Sequence, residues 1–289
     1  MTDLRPATTT VQPILERLRA SLAGLTPAER RVAEVVLRDP LAVIHQSVSQ
    51  LAQDAETSAA TVIRFCTGLG LRGYQELKIT LASQSLPATT RVHSHVERGD
   101  DAQAIAHKIL GSTADALMRT SDSIDAAVLA AIATRVTRAD RVLFGAVGSS
   151  APLAQDIAYR LTTLGIAAQF VPDVHVQHVT ARMLREHDLF FAISHTGSTF
   201  ETLAMVRAAR DAGAGSVALT SFSASPLTEL VDLSLVAGSA ETNYRVEAMA
   251  SRIVHLAVLD SLYVMIAIER PESTAALAMT EDVLVEHRH

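Results

Sequence analysis

From residue 141 onward, short apolar runs alternate with longer stretches of helical period, and this rhythm restricts the possible folds more than any other feature of the chain. Arg141–Val147, Ala168–Pro172, Asp188–Ile193, Ser216–Thr220 and Leu233–Val236 read as strands. Ala151–Leu164, His175–Arg185 and Thr199–Ala212 read as helices between them, and Val246–Glu269 and Ser273–Val285 as helices that follow. The strands are apolar throughout rather than alternating, so both faces of their sheet must be covered. Parallel neighbours need a crossover, and the helices supply it. The expectation is an α/β unit with a five-stranded, parallel, doubly wound sheet.

The first 85 residues show no such rhythm and read as an all-α unit of short helices. Leu15, Leu18 and Leu22 share one helical face. Thr26-Pro27-Ala28-Glu29 combines a capping box with proline at the first helical position, and Asp39-Pro40 ends that helix. A helix beginning near Val48 carries Leu51 and Ala52. After a break at Glu56-Thr57, Ser58 caps a helix containing Val62, Phe65 and Leu69, and a last helix covers Tyr74–Ala82. Residues 83–101 are polar and read as a hinge, followed by alanine-rich helices over Asp101–Arg119 and Asp125–Val136. The expected division is therefore 1–85, a linker over 86–100, and 101–289.

Composition narrows the class. With 289 residues and 48% hydrophobic side chains the chain can bury a large core, but aromatics are only 4%, so that core is mainly aliphatic. A single cysteine, Cys66, excludes an internal disulfide framework and a cysteine-based zinc cluster, and reads as a core residue. His175 and His178 stand at i, i+3 without a carboxylate pattern to complete a site, so neither metal nor cofactor is expected. The most apolar stretch, Ile253–Ile268, carries His255 and Asp260 and reads as a buried helix rather than a membrane span. No apolar signal core stands at the N-terminus, and a cytoplasmic protein is expected. The net charge is −6, with residues 1–85 at +1 and the remainder at −7. Any contact with nucleic acid must then be local rather than a field over a whole domain.

Two loops carry candidate chemistry. The strand over 141–147 runs into Gly148-Ser149-Ser150 and a helix; the strand over 188–193 runs into Ser194-His195-Thr196-Gly197-Ser198-Thr199 and a helix. In a parallel sheet both loops lie at the carboxyl edge, where open α/β sheets bind ligands. Hydroxyls around one glycine, backed by the amides and positive end of the following helix, can hold a phosphate without a cation. Ser149 and Ser150 would close the site from the neighbouring strand. There is no G-x-x-x-x-G-K-[ST], and Gly145 and Gly148 fail G-x-G-x-x-G, which favours a small phosphorylated ligand over a nucleotide. The same residues also suit plain capping, since Ser198-Thr-Phe-Glu201 fits a capping box, and spacing does not separate the two readings.

In the first half, the helix–turn–helix pattern over Leu51–Leu69 suits a DNA-reading motif. With Val62 and Phe65 inward, Ser58, Ala60, Thr61 and Arg64 are expected to face outward, Arg64 forking onto a guanine. Arg72 and Lys78 are expected on backbone phosphates.

Together the two halves resemble the RpiR family of bacterial transcriptional regulators, from about Leu22 to about Glu269. The resemblance rests on Leu25-Thr-Pro-Ala-Glu-Arg30, Ser58-Ala-Ala-Thr-Val-Ile-Arg-Phe-Cys66, Leu69-Gly-Leu-Arg-Gly-Tyr-Gln-Glu-Leu-Lys78, Gly145-Ala-Val-Gly-Ser-Ser150, Arg160-Leu-Thr-Thr-Leu-Gly165, Asp188 to Thr199, Ser225-Pro226-Leu227 and Ala250-Ser-Arg252. It implies an N-terminal helix-turn-helix domain and a C-terminal SIS (sugar isomerase) domain that senses a phosphosugar and dimerises through its helices. The family's Ser-x-Ser-Gly-x-Thr loop maps onto Ser194, Thr196, Gly197 and Thr199, with a threonine in place of the second serine and a bulky His195 between. The turn position that is usually glycine is Glu56, and a non-glycine residue at positive φ costs on the order of 1 kcal/mol.

Two functions follow from this pattern. The first is a regulator rather than an enzyme: a homodimer or homotetramer that reads a pseudo-palindromic operator in double-stranded DNA and takes a phosphorylated sugar or sugar acid as effector, with His195 and Glu247 as further contacts. The alternative is a phosphosugar isomerase with an accessory helical domain, for which Glu201, Glu247 and His195 are the available acid–base groups.

Overall fold

In a computed structural model of the chain, which describes residues 13–44, 46–85, 96, 99–238 and 249–286, many of the helices begin at a residue whose side chain caps them. The chain divides into two units, Met1–Arg91 and Val92–His289. Most of the expected linker, and Glu247, lie outside the described residues.

In the first unit, α1 (Ile14–Ser21) leads through a 3-10 turn to α2 (Pro27–Arg38). The capping box of α2 is complete: the Glu29 amide donates to the Thr26 hydroxyl at 3.4 Å, and the Thr26 amide donates to the Glu29 carboxylate at 3.0 Å. The Thr26 hydroxyl, and then its amide, hold the Glu29 carboxyl below the usual carboxylate range. Asp39-Pro40 ends α2 as expected, but it also starts α3 (Pro40–Ile44). The Ala42 amide donates to the Asp39 carboxylate at 2.9 Å, and proline needs no donor at the first helical position.

Ser47 caps α4 (Val48–Asp54) and Ser58 caps α5 (Ala59–Gly68). Between them Glu56 adopts φ +48°, the one non-glycine residue at positive φ among the described residues. Arg31 of α2 offsets that strain by donating to the Ala55 and Glu56 carbonyls, both at 2.9 Å. The last helix, α6 (Tyr74–Ser85), is tied to α3 and its exit by the Tyr74 hydroxyl, which donates to the Val43 and Gln46 carbonyls. Ile14, Leu18, Val36, Leu51, Phe65 and Leu77 form the centre of this unit's core, with Cys66 beside them. Burial pushes the Cys66 thiol up to about 12, so it stays protonated.

The second unit begins with α7 (Ala102–Ser123) and α8 (Ala126–Arg138), capped by Asp101 and Asp125. Then follow β1 (Val142–Gly145), a 3-10 turn over Gly148–Ser150, α9 (Ala151–Thr163), β2 (Ala168–Phe170), α10 (Val174–Arg182), β3 (Leu189–Ile193), α11 (Phe200–Asp211), β4 (Gly215–Thr220), α12 (Pro226–Leu230), β5 (Leu233–Val236), α13 (Met249–Glu269) and α14 (Glu272–Glu286). All strand pairs are parallel, in the order β2-β1-β3-β4-β5.

Alternate residues of each central strand enter different cores, as a period of two requires. Val142, Phe144, Phe191 and Leu219 pack with α8, α9 and α13 on one face; Leu143, Phe190, Ala192 and Ala218 pack with α10, α11 and α12 on the other. The sheet is therefore covered on both sides, as its uniformly apolar strands demand. Helix α13 is long and apolar enough to cross a membrane by length and composition, yet Val254, Val258, Leu262 and Ile266 turn one stripe of it into the core.

Candidate functional site

The order β2-β1-β3 places a topological switch point between β1 and β3, where chain connections leave the sheet in opposite directions. The two serine-containing loops leave the carboxyl ends of those two strands. Gly145 lets β1 end there: a Cβ at this position would lie 2.2 Å from Cζ of Phe190. Between the loops lies a cavity of about 610 Å³ lined by Val147–Ser150, Ile193–Thr196, Thr199, Thr202 and Arg252.

The loop after β3 is organised around Ser194, which is buried. Its hydroxyl accepts the Gly197 amide at 3.2 Å and lies 3.3 Å from the Thr199 hydroxyl. Gly197 takes φ +62° and its carbonyl accepts the Leu227 amide at 3.0 Å, which anchors the loop on α12. The Ser198 hydroxyl donates to the Thr196 carbonyl. Of the expected phosphate-loop residues, Ser149, Ser150, Ser194, Thr196 and Thr199 line the cavity together with His195; Gly197 and Ser198 shape the loop without lining it.

The helix starts show where capping does not occupy the loop hydroxyls. Thr199 is the N-cap of α11, and its side chain makes no cap bond; Ser150 stands in the same position before α9 and makes none either. The capping box suggested by Ser198 to Glu201 is therefore not formed. Elsewhere in this unit Asp101, Asp125, Asp173 and Ser225 each cap their helix. The first turn of α11 thus carries its amide groups and positive dipole end beside the cavity with no side-chain cap, whereas α9 continues from the 3-10 turn: the Ala151 amide donates to the Gly148 carbonyl and Pro152 has no amide to offer.

Two polar side chains of the lining, Thr202 and Arg252, lie outside the expected set. Thr202 is 1% exposed and its hydroxyl has no hydrogen-bond partner. It sits one turn after Thr199, so helical spacing alone would have put it on the same face. Arg252, on the first turns of α13, brings a guanidinium to a site that the sequence suggested needs no cation. Neither loop's own sequence signals it, because it arrives from a helix about 50 residues further along the chain.

His195 is nearly buried and belongs to a polar chain. Its Nδ1 lies 2.8 Å from the Ser221 hydroxyl, which lies 3.1 Å from Nε2 of His255, and that nitrogen donates to the Ala237 carbonyl at 2.8 Å. The Phe222 ring packs edge-on against His195. Glu201 is exposed and does not line the cavity, which removes one of the acid–base candidates from the site.

In the first unit the outward face of α5 differs from expectation. Ser58, Ala60 and Arg64 are exposed, as is Arg72, which pairs with Glu76. Thr61 is 6% exposed, because the inward stripe is two residues wide (Thr61 and Val62, Phe65 and Cys66, then Leu69). Its hydroxyl accepts from Arg64 at 3.2 Å instead of facing out. Lys78 is also buried, its ammonium 5.8 Å from the centre of the Tyr74 ring, so it does not present itself to a phosphate. Ile63 and Thr67 complete the exposed face.

A helix-turn-helix domain of the rpiR family matches residues 12–87, and a SIS domain matches residues 136–265. An uncharacterized HTH-type transcriptional regulator of Caldanaerobacter subterraneus subsp. tengcongensis is 33% identical over 88% of this chain and 90% of its own length. The chain belongs to the RpiR family of transcriptional regulators. The "Bifunctional protein glk" of Burkholderia thailandensis is also 33% identical, but this RpiR-family chain spans only 41% of it. Among solved structures, the Vibrio vulnificus NanR protein complexed with ManNAc-6P is similar with a TM-score of 0.74 and 30% identity, over 94% of this chain and 98% of that one. The sugar isomerase domain of an RpiR transcription factor from Sphaerobacter thermophilus is similar with a TM-score of 0.55 and 25% identity, over 61% of this chain and 97% of that one.

Proposed function

We propose that this regulator binds DNA through α4 and α5 and that its SIS domain senses a phosphorylated sugar or sugar acid at the cavity between β1 and β3. One observation carries the ligand half of this reading. The N-terminus of α11, which has no side-chain cap, borders a cavity that also holds the Ser149, Ser150 and Ser194 side chains and an unpartnered threonine hydroxyl. Phosphate oxygens would take up those amides and hydroxyls, with Arg252 adding charge from α13. A volume of about 610 Å³ suits a small metabolite, and the sugar phosphate in the NanR complex supports the class. The regulator works in the cytoplasm, where its DNA is.

The ligand acts by binding one state of the protein more tightly, and a difference of about 1–3 kcal/mol switches DNA affinity. A symmetric dimer, alone or paired into a tetramer, reads a pseudo-palindrome with half-sites about one helical turn apart or a multiple of that. Ile268 and Met279, 79% and 71% exposed, support self-association through α13 and α14.

Thermal-shift titration with inorganic phosphate, phosphorylated sugars and sugar acids tests the site, because a ligand of the folded state raises its stability. Ser194→Ala with Thr199→Ala is expected to weaken the best ligand at least about tenfold and to leave ligand-free DNA affinity unchanged. Full ligand affinity in that double variant would defeat the assignment.

On the DNA side, Arg64→Ala is expected to cost about 1–3 kcal/mol of operator binding and to relax sequence preference at one position. Arg72→Ala weakens all duplexes alike and lowers the salt slope by about one. Equal losses on operator and on unrelated duplex in Arg64→Ala would remove it from base reading.

A further inference from the structure

The outward face of α5 is small and polar except at one place. Ala60, Ile63, Arg64 and Thr67 are exposed, at the spacing i, i+3, i+4, i+7 that makes one helix face. Ile63 stands there 48% exposed, while Val62 and Phe65, the other large apolar side chains of the helix, are buried. Its flanking residues along the face are an alanine and a threonine, so the isoleucine side chain projects beyond them. No acidic residue occurs in Ala59–Gly68, and Arg64 is adjacent, so this face can approach a polyanion closely.

We infer that Ile63 is a specificity-determining residue that packs on the C5-methyl group of a thymine in the major groove. The inference rests on the reading of α5 as the helix that enters the groove. There an α-helix fits the groove's width, and the thymine methyl is the apolar group on a surface otherwise made of donors and acceptors. Arg64 reads a hydrogen-bonding edge and Ile63 reads an apolar one, so neighbouring residues distinguish neighbouring base pairs. An exposed isoleucine elsewhere on the surface would need no explanation. Here it occupies the middle of the one helix face that the motif turns toward bases.

The test uses the full chain and an operator selected from a pool of random duplexes. Each thymine of that operator is replaced in turn by uracil, which removes the methyl and keeps the pairing. For the natural protein, uracil at one thymine of each half-site is expected to lower affinity about fourfold, the effect of one buried methyl-sized group. Ile63→Ala should bind the original operator more weakly and show no further loss with uracil at that position, while Ile63→Val retains the methyl dependence. Far-UV circular dichroism of each variant should match the natural protein, since the side chain is exposed. Unchanged affinity of the natural protein with uracil at every thymine would overturn the inference and leave the DNA-binding reading intact. So would an undiminished uracil effect in Ile63→Ala. If no sequence is enriched and no salt-sensitive duplex binding occurs, the DNA-binding reading falls, and the inference with it.

Discussion

Lowering the pH from 7 to 4 is expected to remove about 3 kcal/mol of stability from the SIS domain through His255 alone. This side chain is fully buried on α13. Burial pushes it down to about 4; its bond to the Ala237 carbonyl opposes that shift, and the neighbouring His195 adds to it. The unfolded chain binds the proton first, with an ordinary histidine value near 6.5. Stability is therefore complete above about 6.5, falls as the pH drops toward 4, and is fully lost below that. One proton gives a slope of about 1.4 kcal/mol per pH unit within this window. Against a total of about 5–15 kcal/mol for a typical domain, the loss is large. It also strikes the chain from His195 through Ser221 to Ala237, which joins the loops after β3, β4 and β5. Urea denaturation at pH 7, 6, 5 and 4 measures the slope, and His255→Asn isolates it from carboxylate titration. The variant is expected to be less stable at pH 7 and flatter between pH 6.5 and 4.5. Parallel curves for the two proteins would show that His255 is not the group responsible.

The architecture was legible because its signals are local. Uniformly apolar strands over Val142–Gly145 and Leu189–Ile193 announce a sheet buried on both faces, and Thr26, Ser58 and Asp101 announce helices one residue later. Where one signal has two meanings, only one is legible: Asp39-Pro40 stops α2, as expected, and also starts α3 with the same two residues. Helical phase puts Thr61 outward and charge alone puts Lys78 on a phosphate, whereas the width of the buried stripe and the Tyr74 ring decide where they point. At the cavity, the hydroxyl loops announced themselves as strand–loop–helix repeats. The contribution of Arg252, and the tie from His195 to His255, depend on which helix closes over the sheet edge, and that is a property of packing rather than of any short run of sequence.

Gly197→Ala is expected to disable the proposed anion site and to destabilise the SIS domain by about 3 kcal/mol, of which the backbone conformation accounts for only about one. Gly197 sits at φ +62°, and a Cβ there would lie 2.2 Å from the Ser225 hydroxyl and 2.7 Å from its Cβ. Ser225 cannot yield cheaply, because it caps α12 in a capping box with Thr228. The loop must move instead. Moving it breaks the Leu227 bond to the Gly197 carbonyl and draws the Gly197 amide away from Ser194, whose hydroxyl faces Thr199 at the mouth of α11. Gly213→Ala separates strain from collision: that glycine lies at φ +85° with nothing within 4 Å of the added carbon. It should cost about 1 kcal/mol and leave phosphate binding as it was. Urea midpoints and phosphate titrations of the two variants give the comparison directly. A loss of more than tenfold in phosphate affinity confined to Gly197→Ala is the expected result. Equal costs in both variants with phosphate affinity intact would mean that the loop can relax away from α12 without disturbing Ser194 and Thr199, and that the anion is held elsewhere.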